Sequence, residues 1–253
     1  MYHIGEIMLY YVGIDDTDNL ESRGTGHRAR QLGSMLEETG ICKLKCITRH
    51  QLLVHKDIPY TSHNSSACLL VECSPELESE LIDFCREFLL RESAPGSDAG
   101  LCVVSADAVT NEIEKWGNLA KKIVLTKNEA HELALRNNVF LEGLTGEKIG
   151  VIGSLAAVGL RHAGNDGRVL WLPNLRATEG IFTADELKHH LSLDDITTKE
   201  GAEIPHGDKI MANGWIRPVL RQKAITLLVE QNEDHGQYQW KHVSKEYIKS
   251  ISN

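Results

Sequence analysis

Apolar residues run almost unbroken from Ile7 to Ile14 and then give way to acids, the pattern of a strand buried on both faces. Residues 27–39 carry Ala29, Leu32, Met35 and Leu36 on one helical stripe and stop at Gly40, a glycine placed to end a helix. Strand-like stretches follow at 44–54 and 66–73. Ser74-Pro75-Glu76 then opens a helix reaching about Glu92, with serine as cap, proline in the first turn and acids at the positive end. LCVVS at 101–105 predicts another strand, so 44–105 suits half of a ferredoxin-like unit. Residues 106–141 read as mainly helical, with a short strand at 123–125 and a capping box from Thr126 to Glu129. A glycine-rich entry leads into the small-residue helix GVIGSLAAVG, followed by an Asn165-Asp166-Gly167 turn and a strand. Beyond Pro173 the texture changes to a short helix near 183–191 and a β-rich terminus at 208–217, 223–230 and 237–243. The alternation predicts an α/β (α+β) fold, divided into 1–175 and 176–253.

Composition adds bounds. The 253 residues are 42% hydrophobic and 25% charged, an ordinary globular balance. No apolar run approaches the roughly 18 residues of a membrane span, and the first residues lack a signal-peptide pattern, so a cytoplasmic setting without a membrane is expected. Six cysteines without a CxxC pair read as reduced core thiols. The net charge of −9 disfavours bulk attraction to nucleic acid, and DNA is not an expected partner. Lys121-Lys122, Arg161-His162 and the stretch from Arg217 to Lys223 are expected to be solvated faces.

Chemistry concentrates after the first strand. Asp15, Asp16 and Asp18 put three carboxylates within four residues, at the kind of strand end where α/β folds gather ligands. Extended geometry would turn Asp16 and Asp18 to one side and Asp15 to the other, with the Thr17 hydroxyl between. Such a group suits a hard cation that keeps waters and takes phosphate oxygens. The Gly24-Thr25-Gly26 turn enters a helix whose free N–H groups can hold a phosphate. The competing reading is simple turn formation by Asp and Asn. An aspartyl-phosphate phosphatase motif fits poorly, because Asn19 stands where the threonine belongs. Gly146, Gly150 and Gly153 match neither the Walker A nor the dinucleotide pattern, and by spacing alone close approach to a neighbouring strand explains them slightly better than approach to a phosphate. His50, His55 and His63 fit no metal spacing and read as surface or loop histidines; Asn64-Ser65-Ser66 and Pro95-Gly96-Ser97-Asp98 offer polar groups for either a pocket or turns.

GIDDTD, RGTG, IPYTSHNSSA, PGSDAG and GVIGSLAAVG occur in this order, followed by HGDKIMANGWIRP, and together they resemble the archaeal 2-agmatinylcytidine synthetase (TiaS) family. The resemblance is to a short stand-alone relative without the family's OB-fold and zinc-ribbon domains. It implies a kinase-like α/β domain at 1–175 combined with a ferredoxin-like domain whose β-rich part is 176–253. In that family ATP phosphorylates a cytidine carbonyl oxygen of a tRNA and agmatine displaces the phosphate. Carried onto this chain, Asp15, Asp16 and Asp18 would hold magnesium. Thr17, Gly24, Gly26, Gly150, Gly153 and Ser154 would bind the nucleotide. Asp16, Asp18, Thr25 and His27 would be catalytic, since the family's phosphorylated threonine falls near His27 with Thr25 the nearby hydroxyl.

The expectation is therefore an ATP- and Mg-dependent phosphotransferase or ligase that activates an acceptor oxygen. The acceptor is a small molecule or an RNA, tRNA included, and a homodimer is allowed. Two alternatives are a non-catalytic nucleotide or metabolite binder and a tRNA wobble-cytidine enzyme working with a separate RNA-binding partner.

Overall fold

The computed structural model describes residues 6–58, 63–234 and 236–252; Pro59 to Ser62 of the IPYTSHNSSA motif lie outside them. The first strand, β1 (Met8–Asp15), is followed by α1 (Thr25–Thr39), β2 (Cys42–Gln51), β3 (Ser65–Cys73), α2 (Glu78–Glu92) and β4 (Gly100–Ser105). These strands lie in the order β4-β1-β3-β2, all antiparallel. That is the βαββαβ arrangement of ferredoxin-like units. α1 ends where Gly40 turns left-handed at φ 76° and returns its N–H to Glu37.

β1 is covered on both sides, which is why its sequence is continuously apolar. Tyr10, Val12 and Ile14 pack with Ala29, Leu32 and Leu36 of α1 and Leu81, Cys85 and Phe88 of α2. Tyr11 faces the other way, towards α3 (Asn111–Ala120), α4 (Lys127–Arg136) and α5 (Val151–Ala163). Gly13 and Asp15 share that second face by the two-residue period. α5 lies so close that a Cβ on Gly13 would come within 2.1 Å of the Ser154 carbonyl oxygen. Gly159 and Gly117 allow the same intimacy between α5 and α3, where added Cβ atoms would meet backbone at 2.1 and 2.8 Å. The small-residue helix is thus a packing device.

The sheet continues past this unit. β5 (Phe140–Gly143) joins β4, and β6 (Arg168–Trp171) joins β2. The remaining strands are β7 (Gly180–Thr183), β8 (Asp195–Thr198), β9 (Lys209–Ala212), β10 (Val219–Arg221), β11 (Ala224–Gln231) and β12 (Trp240–His242), with α6 (Ala184–His190) and α7 (Lys245–Ile251). Among the described residues they form one sheet in the order β5-β4-β1-β3-β2-β6-β10-β11-β12-β9-β7, with β8 beside β11. The fold is mixed, α+β. β6 and β10 meet through a single register pair, Val219 with Arg168. A separate core (Leu187, Leu191, Ile210, Leu227, Val229) fills the later half and reaches Cys46 and Val169.

Several elements differ from expectation. Residues 123–125 form no strand: Lys122 and Ile123 return their N–H groups to Leu119, which closes the chain locally, and no neighbouring strand is offered. β5, β7, β8 and α7 are additions, each short or weakly periodic. All six cysteines are buried free thiols, as expected. No helix among the described residues is long and apolar enough to cross a membrane.

Candidate functional site

The site begins where β1 ends. Asp15 closes the strand on the α5 face, and Asp16 turns sharply with φ 50°. That left-handed residue breaks the expected alternation. Asp15, Asp16 and Asp18 consequently all line one cavity of about 320 Å³, within the size range of small-molecule sites. The N-terminus of α5 meets them there. Asp15 is buried at 8% exposure, and a Cβ on Gly153 would lie 1.8 Å from its Oδ2. This puts a carboxylate at the positive end of a helix dipole.

The loop 97–99 fixes α5 in this place. Asp98 accepts hydrogen bonds from the N–H groups of Glu147 and Lys148, and its carbonyl accepts from Gly150 N–H at 2.9 Å. Thr145 Oγ1 accepts from Ala99 N–H at 2.8 Å and donates to Ser97 O at 2.7 Å. The PGSDAG segment therefore acts as a structural clasp.

Crowded acids set the electrostatics. Burial pushes the Asp15 carboxyl well above the ordinary carboxylate range, and repulsion from Asp16 and Asp18 adds to it. Burial, followed by the charges of Asp98 and Asp18, raises Asp16 to about 6. Asp18 Oδ1 accepts from the Thr25 hydroxyl at 2.8 Å and from Thr25 N–H at 3.0 Å. Thr25 Oγ1 in turn accepts from the Thr17 hydroxyl at 3.2 Å. Acids held against their own repulsion are chemically matched to a cation, so magnesium fits. Among the described residues no group of three His, Cys, Asp or Glu is arranged to hold a metal ion on its own. Magnesium does not require such a cage, since it keeps waters and takes one or two carboxylates plus phosphate oxygens.

The remaining walls were not legible in the sequence. Leu52, Ile123, Val124, Leu125, Ile149 and Ile152 form an apolar side suited to a flat ring, and Lys127 brings a cation. Ile123 and Val124 are 47% and 44% exposed, the kind of surface a ligand would cover. Asn64 and Ser65 also line the cavity. Gly150 and Gly153 belong to the lining, whereas Thr17 and Ser154 are fully buried; Ser154 Oγ donates to Val151 O at 3.2 Å. Gly24, Gly26 and His27 line an adjoining space, with Asp18 and Thr25 on the wall between. Burial, then nearby arginines, lowers His27.

His50 is a further correction: it is completely buried, not a loop residue. Its Nε2 lies 2.8 Å from Thr48 Oγ1 and its Nδ1 3.0 Å from Asp166 Oδ1, while Asp166 Oδ2 pairs with Lys121. The order imitates a nucleophile triad, but Thr48 is 0% exposed and also donates to Cys68 O, so no substrate reaches it. Lys122 is exposed as expected, but Lys121 is half-buried in its pair with Asp166 and Arg161 is not a solvated face. Arg161 is buried, within 3.5 Å of Cys46 Sγ and stacked over Tyr11.

Comparison with known proteins fits this geometry. The crystal structure of TiaS in complex with its tRNA and ATP superposes on 60% of this chain with a TM-score of 0.52 and 26% identity. The likeness is to TiaS. A crystal structure described as a tRNA fluorescent labelling enzyme superposes equally, at TM-score 0.52 and 27% identity over 60% of this chain. An uncharacterized protein of Methanocaldococcus jannaschii is 29% identical over 153 residues, 59% of this chain. The chain spans about half the length of that curated relative (49%) and 36% of the TiaS chain. No protein-family profile matches it.

Proposed function

We propose that this chain is an ATP- and magnesium-dependent phosphotransferase or ligase of the tRNA-modifying kind, which activates an acceptor oxygen by phosphorylation. The carrying observation is the convergence of Asp15, Asp16 and Asp18 with the α5 N-terminus in one cavity, in a chain similar to an ATP-using enzyme. Asp16 and Asp18 would hold magnesium, which supplies neutralisation of phosphate charge, with Asp15 behind them. The apolar wall around Ile123 to Leu125 would receive the base, and Lys127 a phosphate. Asp18 holds the Thr25 hydroxyl by its Oδ1 and is placed to take its proton. Positioning and charge compensation, more than covalent chemistry, are what phosphoryl transfer asks of a protein. In this reading the site belongs to a kinase-like domain at 1–175, and 176–253 is a second, β-rich domain. The setting is cytoplasmic.

The test is ATP turnover in the presence of tRNA or small amine acceptors. Asp16→Asn and Asp18→Asn should each abolish turnover while leaving the far-ultraviolet circular dichroism unchanged. Wild-type turnover in both variants would sink the proposal. Tight Mg-ATP binding by wild type with no phosphate release would leave a nucleotide-binding protein.

A further inference from the structure

Against the acidic cavity lies a second space of about 410 Å³, lined by Arg23, Arg30, Arg49 and the glycines that flank Thr25. The two share Asp18, Thr25, His63 and Ser65, so one wall separates a pocket of carboxylates from a shelf of guanidiniums. Further arginines close around the shelf from distant parts of the chain. Arg176 and Arg23 lie near enough to lower Arg30, after burial. Burial, then Arg176, Arg168 and Arg30, holds Arg217 down at about 10. Arg49 is held at about 10 by burial and then Arg168. In a chain of net charge −9, this is a local reversal of sign built from residues spread over nearly 200 positions.

Asp18, on the dividing wall, is the one acid among the described residues that line the shelf. Among the described residues, none of Arg23, Arg30, Arg49, Arg176 and Arg217 forms an ion pair with a carboxylate. The nearest acid acting on Arg49 is Asp166, already engaged by His50 and Lys121. Arg49 Nη1 is buried without a hydrogen-bond partner. A buried cationic group left unmatched is costly, and native proteins keep such groups where a ligand completes them. The geometry is also rigid: Arg217 stacks on Trp215 at 4.7 Å and Arg168 at 6.0 Å. Gly24, the N-cap of α1, leaves open space, an added Cβ meeting only Asp18 Oδ2 at 3.9 Å, while Asp18 Oδ1 already takes the Thr25 N–H at 3.0 Å. Planar guanidinium forks beside an open stretch of backbone match a tetrahedral oxyanion.

We propose that this shelf is a phosphate-ester site, which holds a phosphate of the acceptor while the acceptor's reactive group faces the Asp18–Thr25 wall. The identity of the anion as part of the acceptor rests on the phosphoryl-transfer reading; the affinity of the shelf for phosphate esters does not. The phosphate is that of an RNA strand or of a small phosphomonoester, and the binding experiment separates the two.

The full chain is titrated, without ATP, with a short fluorescein-labelled single-stranded RNA, and in parallel with ribose 5-phosphate and pyrophosphate by calorimetry. Arg23→Gln and Arg176→Gln change exposed residues and leave the core intact. Each should weaken the bound probe about tenfold at low salt and flatten the slope of log affinity against log salt by about 1. Arg91→Gln, an exposed arginine on α2 paired with Glu92, should bind as wild type does. Steeply salt-dependent RNA binding that ribose 5-phosphate does not displace assigns the shelf to a strand. Binding of the small esters alone assigns it to a metabolite. No binding of any probe by wild type, or equal losses in Arg91→Gln, overturns the proposal. Mg-ATP affinity, measured separately, should be unchanged in both shelf variants; its absence in wild type would remove the ATP reading and leave the shelf standing.

Discussion

Asp16 shows how much one backbone angle decides. With φ at 50° it sits where asparagine and glycine are at ease and aspartate is merely tolerated. Its carboxyl is raised from 3.8 to about 6, so the folded state binds its proton more tightly than the unfolded chain. Its stabilising contribution is complete below pH 3.8 and is lost as pH rises through about 6. Removing the charge should therefore help the empty protein. Asp16→Asn is expected to raise stability at pH 7 by about 1–2 kcal/mol, discounted for partial exposure, while ending catalysis. Urea midpoints at pH 4 and pH 7 check this: the gain should vanish at pH 4. The acid cluster was legible in the sequence as a cluster. Its shared orientation was not, because a strand's two-residue period cannot foresee where the strand breaks.

At the scale of elements, glycines and buried polar pairs place α5. Gly13 is the middle of the contact between β1 and α5, and a methyl there meets backbone, which cannot swing aside. Gly13→Ala should cost roughly 2–3 kcal/mol, as overpacking does, and lower ATP turnover because the α5 N-terminus moves away from Asp15. Chemical denaturation and a turnover assay report both losses. The turn joining α5 to β6 is held to β2 by the Thr48–His50–Asp166–Lys121 chain. Burial lowers His50, whose usual value is 6.5, and the partnership with His50 and Lys121 lowers Asp166 despite burial. Both depressed values act in one direction: stability is present at neutral pH and falls as pH drops, first below about 6.5 through His50. His50→Ala should cost about 2–4 kcal/mol at pH 7 and remove the upper part of that acid loss, seen in melting curves between pH 7 and pH 5. Helices with caps and the long strands could be read from periodicity and punctuation. The short strands β7 and β8 could not, since four residues carry little periodic signal and their partners are distant in sequence.

For the molecule as a whole, charge has to be read in space. Counting gives −9 and suggests indifference to polyanions, yet folding separates the signs into adjoining compartments. Arg217 belongs to a stretch that read as a solvated face; in three dimensions it leans on Trp215 and joins Arg30 and Arg176. Such convergence is invisible to a linear scan because each arginine comes from a different element. The ordered motifs, by contrast, carried the likeness to TiaS straight from the sequence, because β1, its acidic end and α5 form a compact local assembly.

The thin junction between β6 and β10 has a consequence for biosynthesis. Every residue lining the acidic cavity lies between positions 15 and 153, whereas the basic shelf is completed by Arg176 and Arg217. As domains tend to organise from the N-terminus while the ribosome is still working, the cavity can close well before the shelf exists. A half-made chain would carry the acids with Arg23, Arg30 and Arg49 but without Arg168, Arg176 and Arg217, so the proposed shelf would reach its full charge only after the cavity has formed.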